Sequence, residues 1–399
     1  MHTTEAAPAG RTRSLVAALI HFDVSCMVWT ILGALGIYIS QSLHLSAGTM
    51  GIVVGTPLVA AAVARVAIGI LADRFGPRSV GAVSLLISVT PLVWGWLGAS
   101  TVPELLGVGV LLGVAGGSFA VAIPLASRWY PAGSQGVAMG IAGAGNAGTV
   151  VCTLVAPRLA QHVGWHAALG LAAVPIIVGW AAFTVLAKEP PAPAQRLTGR
   201  GIAAVLAERD VWKLCAFYCV TFGCFVGFAS FLPILLHGSY GLSKLQAATV
   251  TAVGVGLGSL LRPLGGWLAD RIGGTTVLAG VFAVAGVTLI VIASSSALAV
   301  LVVAFPVAMG IFGIGNGATF QIVGLRFADR IGVVTGIVGA AGGLGGFLLP
   351  TVLGQLHNAG GYTSGLALVA TATLCALPVI VFIRGRWRTG WAAVAQARV

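Results

Sequence analysis

Gly69-Ile70-Leu71-Ala72-Asp73-Arg74-Phe75-Gly76 and Gly266-Trp267-Leu268-Ala269-Asp270-Arg271-Ile272-Gly273 lie 197 residues apart and agree at six of eight positions. Each octapeptide closes one apolar run and precedes another, so each reads as a short charged loop between two hydrophobic helices. A repeat at that spacing in a chain of 399 residues divides it into two equivalent parts. An internal repeat of this kind is the sequence mark of a membrane bundle built from paired halves.

Composition agrees. Hydrophobic residues make up 58% of the chain and charged residues 8%, with a mean hydropathy of +1.03. A soluble domain carries roughly 25% charged residues and needs them to cover its surface. The apolar runs reach the roughly 20 residues that a helix needs to cross a bilayer. Twelve spans are expected, at 15–40, 47–72, 79–98, 103–127, 134–157, 165–187, 211–237, 244–269, 276–294, 297–325, 331–356 and 362–384. The fold class is therefore an all-α membrane protein of twelve transmembrane helices in two pseudo-symmetric six-helix halves. The 58 glycines lie mostly inside these runs, where small residues let helix backbones approach closely.

A break at 188–210, rich in proline and charge, reads as a linker between an N-terminal half (1–187) and a C-terminal half (211–399) with a short tail. Of 21 Lys and Arg, all but Arg65, Arg158, Lys244 and Arg262 fall at the termini, in the linker or in the even-numbered loops. The positive-inside rule then places both termini and the linker in the cytoplasm of a bacterial inner membrane. The net charge of +12 is thus spread over short loops and does not describe a nucleic-acid surface. The first apolar run is too long for a cleaved signal peptide. All six cysteines fall inside spans. Cys215 and Cys219 are one turn apart, but no His or carboxylate joins them, and neither a metal nor a cofactor is expected. A membrane enzyme would need a nucleophile, paired carboxylates or a metal cluster in the bundle, and none is legible. No stretch outside the spans is long enough for the soluble domain of a receptor.

The informative residues are Arg65 and Arg262, again 197 apart, each eight residues before its loop aspartate. Eight residues of helix put each about 12 Å into the membrane. An ionised side chain at that depth costs several kcal/mol and is kept where it lines a cavity or binds something. Of nine acidic residues only Asp23 falls clearly within a span. Two equivalent cations with at most one acid between them describe an anion site, and the planar guanidinium fork suits a planar oxyanion. Phe119, Tyr218 and Phe222 lie at matching depth. The Gly-dense stretches of the fifth and eleventh spans are expected to leave room for only a few heavy atoms.

The doubled Gly-x-Leu-Ala-Asp-Arg-x-Gly loop resembles the signature of the major facilitators. That resemblance implies transport by rocking two halves about a central site, with Asp73, Arg74, Asp270 and Arg271 forming a conformational gate in which the aspartate caps a neighbouring helix. Gly140 to Gly148 in the fifth span and Gly336 to Gly346 in the eleventh narrow the resemblance to the nitrate/nitrite porters, supported by His21-Phe22-Asp23-Val24-Ser25 and by Gly315 to Gln321. It implies an anion clamped by Arg65 and Arg262, sandwiched by Phe119 and Phe222, and hydrogen-bonded by Tyr218 and Asn146. It also implies backbone contacts at Gly336 and Gly339, the latter standing where some members carry a hydroxyl residue. The expected cargo is nitrate or nitrite, carried by a monomer in the lipid bilayer, through exchange or with protons coupled through Asp23. A carrier of small organic monocarboxylates such as formate, lactate or oxalate is the alternative reading.

Overall fold

The computed structural model describes residues 11–129, 141–190, 199–327 and 330–390. The opening residues of the fifth expected span, with Gly140, and residues 191–198 of the linker lie outside them. Among the described residues the secondary structure is entirely helical. Twelve rods follow in chain order. The first, α1, comes in three pieces: Arg11–Trp29, Ile31–Ala34 and Gly36–Ser42. Then come α2 (Ala47–Phe75), α3 (Pro77–Gly98) and α4 (Val102–Gly116 with Phe119–Ser127). A short 3-10 turn, Ala144–Ala147, leads into Gly148–Leu171, which folds back at Gly164 (φ 81°). Its first arm is α5, and its second continues through Ala173–Leu186 as α6. The C-terminal half comprises α7 (Arg209–Tyr240), α8 (Lys244–Ile272) and α9 (Gly274–Ser294). It ends with α10 (Leu298–Arg326), α11 (Ile331–Gly360) and α12 (Tyr362–Gly390).

Ten helical stretches are long and apolar enough to cross a membrane. One of them, residues 141–186, holds both α5 and α6, and the broken α1 supplies the remaining passage. The linker contains a helix that the charge pattern did not announce, Gly199–Ala207, which buries Val205 and accepts a hydrogen bond from Trp212 Nε1 at the Leu206 carbonyl.

The repeated octapeptide explains itself here. Gly76 and Gly273 end α2 and α8 at φ 89° and 93°, a conformation that glycine alone adopts without strain. The other ends of the same helices are capped by Ser46 and Ser243, also 197 apart, each accepting from a backbone N–H three residues on. Start and stop signals of α2 and α8 are thus the same residues in both halves. Asp73 does not cap a helix: it pairs with Arg128 at 2.6 Å. Glu189 takes that role, accepting from the Arg78 and Ser79 amides at the start of α3.

The halves meet through α2 on α11, α5 on α8 and α1 on α7, pairings that two-fold pseudo-symmetry interchanges or preserves. Contact is closest at the face remote from the chain ends. There a Cβ on Gly51 would strike the Pro350 carbonyl, one on Gly33 would lie 2.6 Å from the Ser230 Cα, and Gln41 Nε2 meets His237 Nε2 at 3.1 Å. Lys244 Nζ sits 4.1 Å over the Tyr38 ring on the same face. At the face carrying the chain ends, three ion pairs each lie within one half. They are Arg128 with Asp73, and Lys213 and Arg326 with Asp210. Among the described residues, the halves are thus locked together on the remote face.

Gly145 and Gly148, at the start of α5, press on α1, whereas Gly143 faces open space. A Cβ on Gly145 would come 3.0 Å from the Leu19 carbonyl oxygen, and one on Gly148 would collide with the Asp23 carbonyl. Gly148→Ala is expected to lower stability by about 1–3 kcal/mol through displaced backbone. Gly336→Ala, where an added Cβ meets nothing within 4 Å, is expected to be neutral or slightly stabilising. Thermal unfolding in detergent compares the two.

Candidate functional site

The site forms where α4 breaks. Around Gly117 and Ser118 the helix changes register, and the Ala120 amide bonds the Gly117 carbonyl. In an unbroken helix that amide would bond Gly116, so the break frees the Gly116 carbonyl. Arg65 Nε donates to this oxygen at 3.0 Å, while its NH1 donates to the Gly339 carbonyl on α11, across the interface between the halves. Arg65 is only 3% exposed, yet no carboxylate pairs with it among the described residues. Its charge is held by carbonyl dipoles and ring faces: the guanidinium carbon lies 5.1 Å from the Trp29 centroid and 5.4 Å from that of Phe222.

Arg262, on α8, is held more loosely. It is half-buried, and NH2 donates to the Tyr218 hydroxyl at 3.3 Å. Its guanidinium carbon lies 5.9 Å from the Phe119 centroid and 5.4 Å from that of Phe320. Each arginine is therefore covered by one aromatic from its own half and one from the other. The two covers join, because Tyr218 and Phe222, one turn apart on α7, stack at 5.0 Å and 8°. Phe320 meets Tyr218 edge-on at 4.9 Å and Phe119 at 5.7 Å, and Trp29 stacks on Phe222 at 6.4 Å. The result is an aromatic chamber around two guanidinium groups.

The structure thus brings Arg65, Arg262, Phe119, Tyr218, Phe222 and Gly339 together. Asn146 is buried at the margin, donating to Ser259 on α8 at 3.3 Å and accepting from Cys26 Sγ at 3.6 Å, so its amide ties α5 to α8 and α1. Gly336 is partly exposed and faces open space. Asp23 is half-buried on α1 with the Gly148 N–H facing its carboxylate, and it makes no ion pair among the described residues. The gate residues diverge. Asp73 is paired, Arg74 lies over Phe75 at 5.2 Å, Arg271 lies over Trp267 at 3.9 Å, and Asp270 is exposed. Sequence reasoning missed Trp29, Gly116 and Phe320 as parts of the chamber. The paired Gly116-Gly117 inside an apolar span was the available signal for the break.

Twelve helices in two halves around a midplane pair of cations define a solute carrier, with no constellation for chemistry on its cargo. The family model of the Major Facilitator Superfamily matches residues 17–350, and the chain belongs to that superfamily. It is 32% identical over 360 residues to the nitrite extrusion protein of Bacillus subtilis, covering 90% of each chain. It is 31% identical over 383 residues to the probable nitrate/nitrite transporter NarK2 of Mycobacterium tuberculosis, covering 92% of this chain and 95% of the other. It is 30% identical to the probable nitrate/nitrite antiporter NarK1 of Thermus thermophilus, covering 85% and 84%. Among solved structures it resembles a bacterial homologue of the human lysosomal transporter Spinster, captured inward-facing. The TM-score is 0.71 and the identity 18%, over 96% of this chain and 98% of that one, which establishes the shared fold.

The two arginines read as equivalents in sequence and differ in structure. Arg65→Lys cannot reach both the Gly116 and Gly339 carbonyls and is expected to lower the melting temperature as well as transport. Arg262→Lys should keep the melting temperature and lose most transport. Melting and uptake measured on the same purified variants separate the roles.

Proposed function

We propose that this protein carries nitrate and nitrite across the bacterial inner membrane by alternating access, with the chain ends in the cytoplasm. The observation that carries the reading is the pair of guanidinium groups, Arg65 and Arg262, contributed by opposite halves and without a carboxylate partner among the described residues. A planar oxyanion seated between them receives forked donors from two sides and ring faces from Phe119 and Phe222. The names borne by relatives that match along most of the chain favour the same cargo. The ring faces that wall the site favour a planar anion over bulkier solutes. Its apolar walls keep the charge–charge attraction strong.

Rocking exchanges which face is parted. The contacts between Gln41 and His237 and between Tyr38 and Lys244 must break for the remote face to open, and Asp73, Arg74, Asp270 and Arg271 then approach one another on the terminal face. Coupling turns on residual charge. Two cations and one monovalent anion leave a net positive site, so the halves rock readily only with an anion seated, or with a titrating group that adjusts the balance. Asp23, free of ion pairs on α1, is that group in a proton-coupled cycle; nitrate/nitrite exchange is the form that needs no such group.

Counterflow of labelled nitrate in proteoliposomes tests the cargo. Accumulation that unlabelled nitrite abolishes and that formate, lactate or oxalate leave intact is the expected result; a preference for the carboxylates would overturn it. Uptake into vesicles without internal anion, lost in Asp23→Asn while exchange survives, is expected for proton coupling. Cysteines replacing Gln41 and His237 are expected to cross-link in the resting carrier and stop transport until reduced, as read by gel mobility and uptake.

A further inference from the structure

Two seams join helices of opposite halves, α2 on α11 and α5 on α8. The repeat makes them equivalent, yet they are built differently. From Arg65 toward the remote face, α2 meets α11 backbone on backbone. A Cβ on Gly51 would strike the Pro350 carbonyl, and one on Gly354 the Ala47 carbonyl. One on Gly343 would lie 2.9 Å from the Leu58 carbonyl oxygen and 3.2 Å from the Ala62 Cβ. In the other seam the counterparts of Gly343 and Ala62, 197 residues away, are Asn146 and Ser259.

Asn146 is 4% exposed and sits in the 3-10 turn that leads into α5. Its Nδ2 donates to Ser259 Oγ on α8 at 3.3 Å, and its Oδ1 accepts from the buried Cys26 thiol on α1 at 3.6 Å. The counterpart of Cys26 is Gly223, where a Cβ would lie 2.6 Å from the Gly345 Cα of α11. Three polar side chains thus stand in one seam where the other has two glycines and an alanine. Contacts between small apolar groups yield gradually as helices move past one another. A buried amide that loses its partner must instead find another. The bond between Asn146 and Ser259 is therefore either made or broken.

Its depth decides which opening it opposes. Helix α8 runs from Lys244 on the remote face to Ile272 on the terminal face, and Ser259 precedes Arg262 by three residues. Ser259 therefore lies about 4.5 Å nearer the remote face than the arginine does. A solute that reaches Arg262 from the remote face passes the level of Ser259 first, so the halves must separate there. We propose that Ser259 is a positioning residue that holds Asn146 and so latches the α5–α8 seam while the remote face is closed. The latch lets go when that face opens, whereas the equivalent Gly343 and Ala62 have no side-chain bond to give up. The inference rests on the rocking reading and is independent of which anion is carried.

Ile234, on α7, can report the opening. Its Cδ1 lies 2.6 Å from where a Cβ on Gly36 would be, so the side chain is seated on α1 of the other half and is 8% exposed. The test applies a membrane-impermeant maleimide to the remote face of oriented vesicles holding the full carrier with Ile234→Cys. Labelling is counted above that of the native cysteines alone. Adding Ser259→Ala is expected to raise the labelling rate about fivefold, the population shift from losing one hydrogen bond present in only one of two states. Ser259→Thr, which keeps the hydroxyl, should label as the parent does. Cys26→Ala removes the other anchor of the same amide; it should also label faster, and it carries the test if Ser259→Ala does not fold. Unchanged labelling in a folded Ser259→Ala, whatever its melting temperature, would show a bond common to both states and overturn the latch alone. A parent that is never labelled, with or without nitrate, would overturn the rocking itself.

Discussion

A guanidinium group with no carboxylate, held by carbonyl oxygens near the middle of a bilayer, is the constraint around which this carrier is built. Desolvating such a charge costs several kcal/mol, and the bundle must offset it with fixed dipoles. Three local irregularities serve that need. The break in α4 releases the Gly116 carbonyl, the Gly339 carbonyl reaches in from the opposite half, and the rings of Trp29 and Phe222 screen the cation from the surrounding hydrocarbon. Each would weaken a helix considered alone. Together they hold a positive charge in place before any anion arrives.

On the proposed reading Arg65 is both a ligand for the anion and a strut between the halves, while Arg262 leans on one hydroxyl and two ring faces. The difference gives the site a fixed side and an adaptable side. On that reading an arriving anion meets Arg262 in the less committed state, and competes for Arg65 with the Gly339 carbonyl. Loading and loosening of the interface at that point are one event, because the bond that the anion displaces is a bond between halves.

Much of this was legible in the letters. Apolar runs define the helices, because bilayer thickness acts on each segment separately. The depth of Arg65 and Arg262 follows from counting residues along one helix. What stayed hidden depends on contacts between helices. The break at Gly117 looks like another glycine in a glycine-rich span, and Gly145 and Gly148 look like cavity lining until α1 is found lying against them. Trp29 faces the chamber only because α1 bends just beyond it, at Thr30 and Leu35. The inequivalence of the arginines is invisible in a repeat that presents them as copies.

That repeat has kept its punctuation and changed its wiring. Ser46 and Ser243 still open their helices and Gly76 and Gly273 still close them, yet Asp73 holds Arg128 at 2.6 Å, whereas the matching arginine region of α10 turns to Asp210 and leaves Asp270 exposed. The position matching Asp210 in the first half is Arg13, a residue of opposite sign. A chain made by joining two copies of either half would therefore inherit every helix boundary and still lack half of the ion-pair scheme at the terminal face. The duplication that made this molecule supplied a scaffold; its two halves have since become distinct parts that no longer substitute for one another.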